Sequence, residues 1–188
     1  MNRIILTFIL LIIPISIFSQ TPVYYEGYTS AFGVYAEYGR PRFNNTDLRK
    51  NFGSPVELNA GIFYFHRKTH NGFICNINYL KKTQIDTENA VLKRLTVNLD
   101  FARCAFTAKG KAVFYVSGGI TLGWRWSKII EPEKEKTDFN IGGNLQTGLL
   151  YRLKERLGFI TDIQIIALKT GKLNTGSTCY KAGLSYLF

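Results

Sequence analysis

A chain of 188 residues with a formal charge of +11 is long enough for one domain with a sizeable interior, and its three cysteines, an odd number, give no disulfide framework. Hydrophobic residues make up 46% and the mean hydropathy is -0.03. That value is average for a soluble protein, and it also results when lipid-facing and lumen-facing residues alternate along strands.

Met1-Asn2-Arg3 is a short basic leader, Ile4 to Phe18 is an almost unbroken apolar run containing Pro14, and Ser19-Gln20 offers a small residue for cleavage. Together they read as a secretory signal peptide over 1–19. The run falls short of the roughly 20 apolar residues of a membrane helix, and no Cys near the cleavage point could accept a lipid. Beyond Gln20 there is no second long apolar stretch, so any membrane span of the mature chain must be made of strands. Residues 20–30 read as a short periplasmic segment and 31–188 as the membrane domain, with nothing after Phe188 to grip the cell wall.

Period-two alternation then divides the chain into about eight amphipathic strands. Phe32 to Tyr38 turns Val34 and Tyr38 outward and Glu37 inward. A long loop, Arg40 to Pro55, carries Arg40, Arg42, Arg49 and Lys50. Val56 to His66 follows, with Glu57, Phe63 and Phe65 inward, then a tight turn at His70-Asn71-Gly72, where Asn-Gly is a hairpin signal. Phe73 to Lys81 puts Cys75, Ile77 and Tyr79 toward lipid. After the loop Lys82 to Ala90, Leu95, Val97, Leu99 and Phe101 alternate with Thr96, Asn98, Asp100 and Ala102, and Cys104 falls on the inner phase.

Past the turn Ala108-Lys109-Gly110, Phe114 to Trp126 sets Val116, Ile120, Leu122, Trp124 and Trp126 against Tyr115, Ser117, Thr121 and Arg125. The loop Ser127 to Asp138, with the mixed-charge tip Glu131 to Lys136, leads to Phe139 through Arg152. There Ile141, Leu145 and Tyr151 alternate with Asn140, Asn144, Gln146 and Arg152. The turn Lys154-Glu155-Arg156, the strand Leu157 to Ala167 with Asp162 inward, and the loop Lys169 to Gly176 bring the chain to Ser177–Phe188. In this last strand Thr178, Tyr180, Ala182, Leu184, Tyr186 and Phe188 face out, while Cys179, Lys181, Gly183, Ser185 and Leu187 face in.

Three tight turns alternate strictly with four longer loops, as periplasmic turns and outer loops do in a membrane barrel with both termini periplasmic. The outward aromatics sort by depth. Tyr38, Tyr79, Trp124, Trp126 and Phe139 ring the outer interface, and Tyr64, Tyr151, Tyr186 and Phe188 the periplasmic one, with aliphatic residues between. The expected fold is an all-β, eight-stranded antiparallel up-and-down transmembrane β-barrel.

Catalytic constellations are thin. His66 and His70 flank the first periplasmic turn in a hairpin and form no helical metal pair. There is no GxSxG, HExxH or phosphate-binding glycine loop, so no catalytic, cofactor-binding or metal residue is expected. Glu37, Glu57, Asp100 and Asp162 share the expected lumen with Arg125, Arg152 and Lys181. The interior of so small a barrel is just wide enough to be filled by side chains, so these charges should pair into a plug. Lys181 is expected beside Glu37 across the seam between last and first strands, with Asp162 in diagonal reach. The pairs Gly118-Gly119 and Gly142-Gly143 are read as sites of close packing.

Arg40, Arg42, Arg49 and Lys50 are the expected contacts to lipopolysaccharide phosphates, a role that suits Arg, and Lys81, Lys82, Lys93 and Arg94 flank the second loop. No nucleic-acid fold accompanies this charge. The outward alternation and the run Tyr180 to Phe188 resemble the small outer-membrane barrels of the OmpA-type transmembrane domain and the PorT-like class. That resemblance implies an assembly signal, at Tyr180, Leu184, Tyr186 and Phe188, read by the barrel-assembly machinery.

The second half is similar to the TraO family of conjugative transposons. The matching stretches are Ala112-Val113-Phe114-Tyr115-Val116-Ser117-Gly118-Gly119-Ile120, Phe139-Asn140-Ile141-Gly142-Gly143, Tyr151-Arg152-Leu153-Lys154-Glu155-Arg156 and Ala182-Gly183-Leu184. This resemblance implies an accessory envelope component of DNA transfer, partnered by envelope or conjugation proteins, with no catalytic residue to carry over. The rival readings are a lipid A modifying outer-membrane enzyme and a narrow pore. Both histidines lie at the periplasmic end, away from an outer-leaflet substrate.

Overall fold

Phe32 pairs with Tyr64, Tyr64 with Phe73, Phe73 with Phe101, Phe101 with Gly118, Gly118 with Leu145, Leu145 with Ile165, and Ile165 with Thr178. Thr178 pairs with Arg42, back on the strand where the circuit began. The sheet therefore has no edge, and the offset from Phe32 to Arg42 is the stagger that tilted strands must adopt to close a small barrel.

The computed structural model describes residues 30–83, 90–107, 109–129, 134–170, 173–174 and 176–188. The strands are β1 (Ser30–Phe43), β2 (Val56–His66), β3 (Asn71–Thr83), β4 (Ala90–Phe106), β5 (Ala112–Ile129), β6 (Lys134–Arg152), β7 (Leu157–Thr170), β8 (Leu173–Asn174) and β9 (Ser177–Leu187), with one helix, α1 (Thr46–Phe52). The wall is an eight-stranded, wholly antiparallel barrel, in which β9 lies between β7 and β1 and the two-residue β8 only extends the hairpin from β7. The leader expected over 1–19 and most of the 20–30 segment lie outside the described residues, as do the loop tip at 130–133 and most of the second loop.

The alternation expected from sequence is present on the eight strands of the wall. Along β1, Phe32, Val34 and Tyr38 are exposed on the outer wall while Ala31, Tyr35, Glu37 and Phe43 are buried. Tyr38, Leu58, Tyr79, Leu95, Trp124 and Phe139 succeed one another as cross-strand partners, and the Trp124 and Phe139 rings pack at 5.1 Å. At the opposite end Phe188 packs against Phe32 at 5.2 Å and against Tyr186 at 5.4 Å. Two aromatic belts thus flank an exposed aliphatic band that includes Val34, Ile62, Ile77, Leu99, Ile120, Ile141 and Ile163. Among the described residues no helix is long and apolar enough to cross a membrane.

Three local expectations are corrected. The first hairpin does not turn on Asn71-Gly72. His66 already faces Asn71 and Phe65 faces Gly72, so the turn is Arg67 to His70, with His70 itself in the left-handed region at φ 54. Gly72 is needed for another reason: a β-carbon there would collide with the Phe65 ring.

The segment Arg40 to Pro55 is not a plain loop either, since β1 runs on to Phe43 and α1 follows. Asn45 caps that helix by accepting hydrogen bonds from the backbone N–H groups of Asp47 and Leu48 at 2.8 and 3.0 Å. Gly53 ends it at φ 61, donating to the Arg49 carbonyl at 2.9 Å. Finally, most of the segment Ser127 to Asp138 is strand, because β5 and β6 stay paired beyond the aromatic belt, with Ser127 opposite Lys136.

Candidate functional site in the barrel interior

Three layers fill the interior. At the turn end the filling is apolar. Tyr35, Phe63, Phe65 and Tyr115 form a run of packed rings, with centroid separations of 6.2, 5.3 and 5.2 Å. Ile74, Val113, Leu150, Ile160, Leu187 and the buried Cys104 complete the cluster. Glycines make room for these rings: a β-carbon at Gly148 would strike the Tyr115 phenol, as one at Gly72 would strike Phe65. The expected plug of charges therefore rests on an aromatic base, and Phe63 and Phe65 do face inward.

Above this base lies a continuous polar network. Lys181 donates from Nζ to Gln164 Oε1 at 2.6 Å and Asn78 Oδ1 at 3.1 Å, and sits 3.9 Å from Asp162 Oδ1. Gln146 donates to Asp162 Oδ2 at 2.6 Å, and the Tyr115 hydroxyl donates to the same oxygen at 3.3 Å. Asn78 donates to Asn76 and to Thr96, and Asn98 donates to Asn76. Thr121 donates to Asn98 at 2.6 Å, and Asn144 donates to Thr121 and, at 2.8 Å, to Asp100, whose other oxygen accepts from Ser117. The chain of donors and acceptors thus spans from the closing strand to β4, β5 and β6.

Charges pair otherwise than expected at three places. Lys181 stands opposite Gly39 and Glu37 opposite Gly183, and Lys181 reaches toward Asp162, its direct partner on β7, while Glu37 accepts from Asn59 at 2.6 Å. The expected Lys181–Glu37 pair is thus replaced by Lys181–Asp162. Arg94, read as flanking a loop, turns inward and donates to Glu57 at 2.7 Å and to Ser177 Oγ at 2.9 Å. Arg125 pairs with Asp138, which also takes Lys136 at 3.5 Å. Arg152 is half-buried at the turn-end mouth, near Ser30, Leu150 and Leu187. The amides Asn76, Asn78, Asn98, Asn144, Gln146 and Gln164 also build the site, and their positions all fall on the inner phase.

The third layer is a lid. Phe52 and Leu48 of α1 pack on Phe43, Leu80 and Leu92 at the loop end, and the Arg94 guanidinium lies 5.6 Å from the centre of the Phe43 ring. Arg40 and Arg42 are exposed on the outer face of β1 beyond Tyr38, with Arg40 Nε donating to the Tyr38 hydroxyl at 3.4 Å, and Arg49 and Lys50 sit in the last turn of α1. Both histidines tie down the first turn. His66 Nδ1 lies 3.0 Å from Thr69 Oγ1, and His70 Nδ1 lies 3.2 Å from the Cys104 carbonyl. Among the described residues no group of three or more His, Cys, Asp or Glu is placed to hold a metal. Cys75 is half-buried on the outer phase and Cys179 buried inside, as expected.

A closed antiparallel barrel with an apolar outer wall between aromatic belts and a polar, filled interior has the architecture of the small outer-membrane β-barrels. Solved structures agree. The chain superimposes on Neisserial surface protein A with a TM-score of 0.64 at 14% identity, covering 87% of this chain and 100% of that one. For Ail, the attachment invasion locus protein of Yersinia pestis, the TM-score is 0.59 at 11% identity, covering 85% and 97%. For the outer membrane protein OprG from Pseudomonas aeruginosa it is 0.53 at 12%, covering 85% and 96%. No protein-family model and no curated protein matches the sequence.

Proposed function

We propose that the chain is a closed, non-enzymatic barrel serving as an accessory or structural component of the outer membrane. The observation that carries this reading is the aromatic base made by Tyr35, Phe63, Phe65 and Tyr115, which occupies the space a pore would need. Arg40, Arg42, Arg49 and Lys50 contact lipid phosphate at the outer rim, and Tyr180, Leu184, Tyr186 and Phe188 present the lipid-facing row that the barrel-assembly machinery reads. The finer reading, a place in a conjugative DNA-transfer apparatus, is supported by the TraO-like stretches of the second half.

Two measurements test the general reading. The chain should fractionate with the outer membrane and migrate differently on gels before and after heating, because a hydrogen-bonded barrel resists detergent until heated. In planar bilayers it should give no steady, large conductance. Deletion in a donor strain, scored as mating efficiency with complementation, tests the finer reading. The enzyme alternative predicts that His66→Ala with His70→Ala changes the mass of lipid A, whereas the closed, structural reading predicts no change.

A further inference from the structure

Above the outer aromatic belt the wall formed by β3 to β6 turns basic. Lys81 and Lys93 are direct cross-strand partners, exposed on the outward face in the same phase as Tyr79 and Leu95. Like charges directly opposite in an antiparallel pair destabilise the ladder, and among the described residues neither lysine forms an ion pair with a carboxylate. Lys93 in turn faces Trp126. With Tyr79 below and Lys136 at the rim, these side chains line an open-sided cavity of about 540 Å³, a volume typical of small-molecule sites.

The geometry points to a site for the phosphorylated sugar head group of an outer-leaflet glycolipid. The phosphate lies between the Lys81 and Lys93 ammonium groups, and the sugar lies against Trp126. An anion held there converts the repulsion of the two lysines into two charge-assisted contacts. The source is a lipid because the lysines project sideways from the wall as the next outward-facing cross-strand pair above Tyr79–Leu95, at the level where interfacial aromatics give way to head groups. The site is distinct from Arg40 and Arg42, which stand on β1 between β2 and β9. It rests on the outer-membrane placement and not on the accessory role proposed above.

The full chain, refolded in detergent micelles with Trp124→Phe so that Trp126 is the one tryptophan reporter, is titrated with phosphorylated lipid A, with dephosphorylated lipid A, and with a soluble sulfated oligosaccharide. Saturable change in Trp126 emission is expected with the phosphorylated lipid alone. Lys81→Gln with Lys93→Gln should raise the half-saturating concentration by about tenfold or more while heat-modifiable migration is kept. Without lipid the double variant should be the more stable of the two proteins, and with phosphorylated lipid A the order should reverse. Equal response to the dephosphorylated lipid, unchanged affinity in the double variant, or displacement by the soluble oligosaccharide at comparable concentration would each overturn the assignment.

Discussion

Arg94 of β4 and Glu57 of β2 form an ion pair at 2.7 Å, with both side chains almost wholly buried inside the barrel. The Phe43 ring stands over the guanidinium, and Ser177 of β9 accepts a further hydrogen bond from it. The pair therefore joins three parts of the wall just beneath the α1 lid. Removing one member strands the other in a confined interior, where such a loss costs roughly 3 to 5 kcal/mol. Arg94→Met should lower the urea midpoint of unfolding in micelles, and Arg94→Met with Glu57→Gln should recover most of it. If the double variant is as unstable as the single, the stability comes from packing on Phe43 and not from the charges.

Lys181 offers a sharper test of the seam. Lys181→Met removes the ion partner of Asp162 and the donor to Gln164 and Asn78, again at a cost of roughly 3 to 5 kcal/mol for a buried pair. Asp162→Asn in the same chain should restore more stability than Glu37→Gln, because Asp162 is the direct cross-strand partner of Lys181 and Glu37 takes its hydrogen bond from Asn59. Preferential rescue by Glu37→Gln would instead place the lysine toward β1.

The aromatic base predicts both a stability and a transport effect. Phe65 is fully buried between Phe63 and Tyr115, so Phe65→Ala should cost about 3 to 5 kcal/mol. Phe65→Ala with Tyr115→Ala should also raise single-channel conductance above that of the wild type. A double variant as silent as the wild type would mean that the polar network above closes the lumen unaided.

Much of this was legible in the sequence because lipid imposes a strict period of two on every strand. The phase of β9, the inward Cys104, Cys179 and Leu187, and the alternation of short turns with longer connections all follow from it. Interior contacts are harder to read, since phase says that a residue faces inward but not which of several tilted neighbours it meets. Lys181 and Glu37 both face inward on adjacent strands, yet the stagger places Lys181 opposite Gly39. Arg94 keeps phase with Thr96 and Asn98, but β4 begins at Ala90, five residues before the regular alternation that opens at Leu95.

The Asn71-Gly72 signal misled for a different reason: Gly72 serves the Phe65 ring across the sheet, a tertiary demand that takes precedence over local turn preference. The α1 helix did leave local marks, Asn45 before it and Gly53-Ser54-Pro55 after it. They were hidden in a stretch whose charges read as a solvated loop.

The last two residues of the chain separate assembly from stability. Leu187 is 3% exposed within the apolar base, whereas Phe188 is 71% exposed and packs its ring on Phe32 of β1 and on Tyr186. Its backbone N–H donates to the Phe32 carbonyl at 2.9 Å, so Phe188 extends the closing pair of strands by one step on the lipid side. Phe188→Ser should slow or reduce the appearance of the heat-modifiable form in cells and leave the unfolding midpoint of the protein that does assemble nearly unchanged. Leu187→Ser should do the opposite, because it puts a hydroxyl into the apolar base and opens a cavity there. The pair of measurements is the yield of folded barrel in the outer-membrane fraction and the urea midpoint of the purified barrel. Equal effects of the two substitutions on yield would mean that the terminal aromatic is not read as part of the lipid-facing row.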